Sequence, residues 1–408
     1  MIQHSKKLVG LDILRALACL AVWVSHVRVV TDYFKDDKYN FLQTFMAWGR
    51  EAVVIFFILS GIVINLASKN RTDRGQYFKK RFLRIYPIFF TMLVICYSAD
   101  YFIFHHALNI HDIVGNIFLQ GMWPAYIVPT IPFDLAAWSI ACEAFFYVVF
   151  GLFYNSNRLK VVWIWFGLSI VSIIFHLVHE YGTGVLYQFA ILMNNSFLWL
   201  LGYLVYEYRD RLYATAQTAA CGLLMIPLIT RLNSLPGSYR QACYYIAGLY
   251  LVPLFVFVLK KYSTPASAEN QIKIKHIYIL PVYLINLWLL SQYSNSLLVS
   301  KLLYAGVPFI SLALYIGFVK NMLKWICSKL KQLLLFFADI SYPLYLVHMP
   351  TMVLVYHYLP GQKLIGMMLI IVIAITVSYL FEVYLFRKLT AIVNHTSASK
   401  QPVEETII

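Results

Sequence analysis

Hydrophobic positions in this chain come in long unbroken runs. Apolar spans can be drawn at 8–30, 41–67, 86–106, 137–154, 161–178, 187–206, 212–231, 241–259, 276–293, 302–319, 333–356 and 364–386. Each is close to the ~20 residues that carry a helix across the hydrocarbon core of a bilayer. None shows the period-two alternation of membrane-barrel strands. The pattern predicts an all-α polytopic membrane protein, a bundle of ten to twelve transmembrane helices, with two less regular spans of the second half read as partial or re-entrant. An even number leaves both termini on one side.

The polar segments between the runs set the orientation. With the N-terminus in the cytoplasm, cytoplasmic segments hold 24 of the 33 Lys and Arg, including Lys69, Arg71, Arg74, Lys79, Lys80, Arg81 and Arg84. The stretch from Ile85 to Asn157 has neither Lys nor Arg, and its connecting loop goes outside. Cytoplasmic enrichment of basic residues is the rule for short loops, so N- and C-termini are both expected in the cytoplasm. The longest outer loop, Ala107 to Ala136, contains Trp123, Pro124, Pro129 and Pro132 and is expected to be irregular and packed at the interface. Residues 1–388 are read as one transmembrane domain, and the polar tail 389–408 as disordered. Lys6 and Lys7 precede an apolar run as in a signal peptide, but that run is long and contains Asp12 and Arg15, so it is expected to stay as a helix.

Composition agrees: 61% of the 408 residues are hydrophobic and 12% charged, against ~25% charged in soluble domains. The net charge of +15 is explained by topology and calls for no nucleic acid. The six cysteines fall singly within apolar segments and read as small buried hydrophobes. His105, His106 and His111 cluster without a ligand set at metal spacing, so no metal is expected.

Candidate chemistry begins with Leu11–His26, LDILRALACLAVWVSH. An α-helix places Arg15 and His26 about 20° apart around its axis and ~16 Å apart along it, with Asp12 one turn before Arg15. A charge inside a lipid-facing helix costs at least ~2.5 kcal/mol, so these groups should face protein or a wet cavity. The helix alone admits two readings: an ion pair that pins it to its neighbours, or a functional stripe.

Three further stretches stand out: Arg50–Ile64 with the following Tyr77–Pro87, Trp138–Tyr147, and Ile340–Pro350. Together and in this order the chain resembles the acyltransferase-3 family of integral membrane acyltransferases. Leu11, Asp12, Leu14, Arg15, Ala16 and His26 match its first helix, with Ile13 in place of a Gly. Val53, Phe56, Phe57, Leu59, Ser60, Gly61 and Ile64 match the second, with Val54 where many members have Asp. Phe78, Arg81, Arg84, Ile85 and Pro87 match the basic block, with Lys80 replacing its first Arg. Trp138, Ser139, Glu143, Phe146 and Tyr147 match the next block, with Ala144 and Phe145 replacing a second acid and a Gln. Ile340, Ser341, Tyr342, Leu344, Tyr345, Leu346, His348 and Pro350 match the last.

The resemblance implies transfer of an acyl group, acetyl foremost, from cytoplasmic acetyl-CoA or another acyl-CoA to a hydroxyl of an extracytoplasmic or lipid-linked glycan, by a multi-pass protein of the inner membrane. His26 would be the general base and Glu143 its supporting carboxylate; an acyl-histidine intermediate is the other route. Arg15, Arg81 and Arg84 would hold the donor phosphates, because guanidinium forks suit them. Alternation of the spans puts Asp12, Arg15, Arg81 and Arg84 in the inner half, and His26, Glu143 and His348 in the outer half. His348 reads as structural, and Ser60–Gly61 as a point of close helix approach. Rival readings are a secondary transporter or flippase using intramembrane His, Glu and Arg, and a subunit that anchors a separate soluble enzyme. No internal repeat favours the carrier, and a His-x4-Asp pattern, a G-x-S-x-G elbow and a P-loop are absent.

Overall fold

The computed structural model describes residues 8–31, 48–69, 73–121, 127–154, 157–179, 185–230, 237–260, 272–273 and 329–389. The helices are α1 (Val9–Val30), α2 (Gly49–Ser68), α3 (Arg74–Phe102), α4 (Ile110–Ile117), α5 (Trp138–Leu152, entered through a 3₁₀ turn at Leu135–Ala137), α6 (Arg158–Val178), α7 (Val185–Glu207), α8 (Ala216–Thr230) and α9 (Gly237–Leu259). They continue with α10 (Lys329–Asp339), α11 (Ser341–Tyr358) and α12 (Lys363–Leu380), which runs on as a π-helical segment, Phe381–Arg387. Leu212–Tyr213 and Ile272–Lys273 form a two-residue parallel ladder, Leu212 opposite Ile272.

Among the described residues eight helices are long and apolar enough to cross a membrane, and α10 with α11 pass together as a ninth, broken span. Ten of the drawn spans overlap described helices. Those at 276–293 and 302–319, and the tail from residue 390, lie outside the described residues.

Two boundaries differ from the sequence pattern. The third helix begins at Arg74, twelve residues before the apolar run, so Lys79, Lys80, Arg81 and Arg84 are all helical. Lys and Arg lower hydropathy but are good helix formers, and the Asp73 carboxylate caps the start by accepting the Gly75 N–H at 2.9 Å. The span drawn at 333–356 is interrupted at Ile340, and Pro343 sits in the first turn of α11, where a missing N–H costs little.

The chain divides into two compact units, Met1–Arg71 with Ser156–Ala338 and Thr72–Asn155 with Asp339–Ile408. The first is built on α7, whose apolar window is 83% buried, whereas that of α6 is 22% buried and leaves a wide apolar face for lipid. Close approach of backbones holds its centre. A Cβ on Gly61 would strike the Trp199 carbonyl, and one on Gly202 would strike that of Ile58, so α2 and α7 touch at small residues as membrane helices do. Leu334 and Ala338 of α10 pack on Ala16 of α1. In the second unit α3 runs antiparallel to α5, with Phe78 against Gly151 and the Tyr77 hydroxyl donating to the Tyr147 carbonyl at 3.2 Å. The stretch leading into α5 turns inward: Val128, Ile131 and Asp134 are each 1% exposed.

Candidate functional site

In the first unit, the Arg15 guanidinium donates to the Asp12 carboxylate at 3.1 Å, with side chains 29% and 20% exposed. The cation named from the sequence therefore has an acid of its own one turn away. His26 lies three turns on, half-buried. The preceding Ser25 hydroxyl bonds the Val22 carbonyl at 2.7 Å and packs against Gly49, where any side chain would collide with it. The absence of a side chain at Gly49 thus seats the start of α2 beside the turn that carries His26. Glu51, two residues further, is buried; one carboxylate oxygen accepts the Thr230 hydroxyl at 2.6 Å and the other makes no hydrogen bond among the described residues. Ser60, one of the matched positions, accepts the Trp199 indole N–H at 3.1 Å. Next to Gly61, it serves the helix crossing, as its spacing suggests.

The second unit brings together Arg81, Arg84 and Glu143. The Tyr147 hydroxyl donates to the Glu143 carboxylate one turn before it. The Arg81 guanidinium stands 5.4 Å from the Tyr147 ring centre and 5.9 Å from that of Tyr77, with its Nε buried and, among the described residues, without a hydrogen-bond partner. Arg81 and Glu143 thus flank the same ring. The division by depth that assigns Arg81 to the inner half and Glu143 to the outer half does not separate these two. The reason lies in the elements: α5 has 15 residues, or ~22 Å of helix, less than the ~30 Å of a hydrocarbon core. Its entry loop is folded into the protein, while α3 extends two turns before Arg81.

Arg84 has a partner the sequence reading did not assign. Its Nη1 lies 3.2 and 3.4 Å from the two carboxylate oxygens of Glu382, which is 5% exposed. The Phe386 and Tyr342 ring centres are 4.6 and 5.8 Å from the guanidinium carbon. An intramembrane carboxylate needs a partner, and that rule, applied to Glu382 in its apolar span, was the available signal.

Within the second unit, the last matched block is tied to the basic block and to the start of α5. The Tyr342 hydroxyl donates to the Ile85 carbonyl at 2.8 Å, linking α11 to the basic block. The Tyr345 and Ser139 hydroxyls meet at 2.7 Å, and both lie within 3.2 Å of the Ala136 carbonyl. His348 is 1% exposed, and its Nδ1 donates to the Leu344 carbonyl at 3.1 Å. A carbonyl can only accept, so Nδ1 carries the proton, in a bond within its own helix. Asp134, also absent from the sequence-based set, has both carboxylate oxygens buried and, among the described residues, without hydrogen bonds. Burial pushes its carboxyl well above the usual carboxylate range, and the Ala136 and Ala137 amides, short of full hydrogen-bond geometry, offset part of this. His106 and His111 face Asp100 and Asp112 at 2.8 and 3.2 Å as separate surface pairs.

These helices and the polar groups held within each unit define an all-α, multi-pass membrane protein. The chain belongs to the acyltransferase-3 family, described as an acyltransferase domain, which matches residues 8–385. It is similar to the acyltransferase MdmB of Streptomyces mycarofaciens, with 30% identity over 162 residues, 37% of this chain and 40% of that protein. It is also similar to the putative acetyltransferase ORF330 of Acidianus two-tailed virus, with 22% identity over 216 residues, 50% of this chain and 60% of that protein. The matches thus span less than two thirds of either relative. No solved structure matches the chain significantly.

Proposed function

We propose that the protein is a membrane-embedded acyltransferase that moves an acyl group, acetyl foremost, from cytoplasmic acyl-CoA to a hydroxyl of an extracytoplasmic or lipid-linked glycan. The observation that carries this reading is the family match across residues 8–385. The names of the two relatives, an acyltransferase and a putative acetyltransferase, support it. Its place is the cytoplasmic membrane, with both termini in the cytoplasm.

His26 acts as the general base. Neutral imidazole takes the acceptor's hydroxyl proton as the oxygen bonds to the thioester carbonyl carbon. Collapse of the tetrahedral intermediate breaks the carbon–sulfur bond, and the thiolate of CoA takes the proton back from the imidazolium. Glu143 is the supporting carboxylate, favouring the charged imidazolium. Arg15, Arg81 and Arg84 bind donor phosphates. Arg15 and Arg84 each hold a carboxylate, whereas the Arg81 Nε makes no hydrogen bond among the described residues.

The test is purified protein in vesicles, supplied with isotope-labelled acetyl-CoA outside and a glycan acceptor. Label on the acceptor with stoichiometric release of CoA is expected, and His26→Ala should abolish both while inserting normally. Acceptor movement without thioester consumption would identify a carrier instead. Full activity of His26→Ala would remove that residue from the chemistry.

A further inference from the structure

The π-helical end of α12 is a rare element, since π-turns occur mostly as single insertions, often at functional sites. Its effect here is geometric. Five α-helical steps leave two side chains about 140° apart around the axis, but a π-turn, with bonds from i to i+5, brings them onto one face. Glu382 and Arg387 are five apart, and the Arg387 Nε lies 3.8 Å from a Glu382 carboxylate oxygen. Arg387 also reaches Asp339 at 4.0 Å. Glu382 is thereby steadied by one cation while it engages another, Arg84.

The engagement with Arg84 is one-sided. Only Nη1 meets the carboxylate; Nε and Nη2 make no hydrogen bond among the described residues. The Phe386 and Tyr342 rings limit where the guanidinium can move, and the Tyr342 hydroxyl is itself anchored on the Ile85 carbonyl. A guanidinium held by one nitrogen and bounded by rings keeps its remaining donors in a fixed fork, the arrangement that suits a phosphate.

We infer that Glu382, presented by the π-helical end of α12, is the positioning residue for Arg84 and fixes it to receive a phosphate of the acyl donor. This rests on the reading of Arg84 as a donor contact. Glu382 touches no substrate: it acts through the arginine. Its carboxylate stays in place when the donor binds, and the donor uses the nitrogens that Glu382 leaves open.

Coenzyme A binding to the purified full-length protein, measured by calorimetry in detergent, separates the possibilities without requiring turnover. Glu382→Gln keeps the shape but loses the charge and should weaken coenzyme A binding about tenfold, with Glu382→Asp in between. Arg84→Ala should weaken it at least as much, and Arg84→Ala with Glu382→Gln no further than Arg84→Ala alone, because both act through one contact. In turnover, Glu382→Gln should raise the donor KM while kcat stays within about twofold and the acceptor KM is kept. Unchanged or tighter coenzyme A binding by Glu382→Gln, alongside weakened binding by Arg84→Ala, overturns the inference and leaves the donor reading standing. Unchanged binding by Arg84→Ala overturns the assignment of Arg84 and this inference with it. Failure of both Glu382 variants to give monodisperse protein would make the residue structural and also overturn it.

Discussion

Tyr345 and Ser139 join hydroxyl to hydroxyl at 2.7 Å, although 206 residues separate them in the chain. Proton accounting fixes the pair. Each hydroxyl has one proton, and both reach the Ala136 carbonyl, so whichever bonds Ala136 accepts from the other. Two matched blocks that look independent in the sequence are thus one bonded corner, at the start of α5.

That corner predicts coupled losses of stability. Tyr345→Phe and Ser139→Ala should each cost about 1 kcal/mol, and the double variant should cost measurably less than their sum. Thermal unfolding of the four proteins in detergent gives the cycle. Strict additivity would mean that the hydroxyls do not act on each other.

Tyr147 donates to Glu143, and this predicts an effect on turnover. Tyr147→Phe should lower kcat by about tenfold and Glu143→Gln by about a hundredfold, with the donor KM kept. Initial rates against acyl-CoA concentration check it. Full turnover by Glu143→Gln would take this carboxylate out of the mechanism.

The crossing of α2 and α7 has no room for a methyl group at either glycine. Gly61→Ala and Gly202→Ala should each push backbones apart and cost about 1–3 kcal/mol or more. The expected readout is loss of monodisperse protein on size exclusion. Gly167, whose added Cβ would meet nothing within 4 Å, serves as the neutral comparison.

Asp134 predicts a pH dependence with a definite sign. Its carboxyl is held well above its ordinary value by burial, so the folded protein keeps a proton that the unfolded chain releases. The associated stability is fully present below the unfolded value, near 3.8, and is lost as pH rises towards the raised folded value. Asp134→Asn cannot ionise, so it should gain on the native protein as pH rises from about 4 to about 8. Apparent melting temperatures at pH 5 and pH 8 decide it: a gap that does not widen at the higher pH would contradict the burial argument.

Much of the fold was legible because lipid imposes a simple rule. A chain crossing hydrocarbon must satisfy its backbone internally and be apolar outside, so α1, α2, α6, α7 and α12 stand in the hydropathy of the chain. The start of α3 at Arg74 did not, since there the helix carries charge beyond the apolar run. Ser60–Gly61 was legible as a crossing point, but its partner, Trp199 with Gly202, was not. Small residues announce that something comes close without saying what.

The candidate site divides the same way. Matched blocks named His26, Glu143, Arg15, Arg81 and Arg84, because side-chain type and spacing are properties of the chain. Local spacing also gave the Arg15–Asp12 pair, one turn apart. Glu382 for Arg84, Thr230 for Glu51, and the shared ring of Tyr147 between Arg81 and Glu143 arise only when distant helices pack. The sequence by itself determined a helical membrane protein, its family and the residue types available for chemistry. Tertiary structure alone decided which charges from distant parts of the chain neutralise one another, because such pairing depends on separations of a few ångströms between segments far apart in the chain.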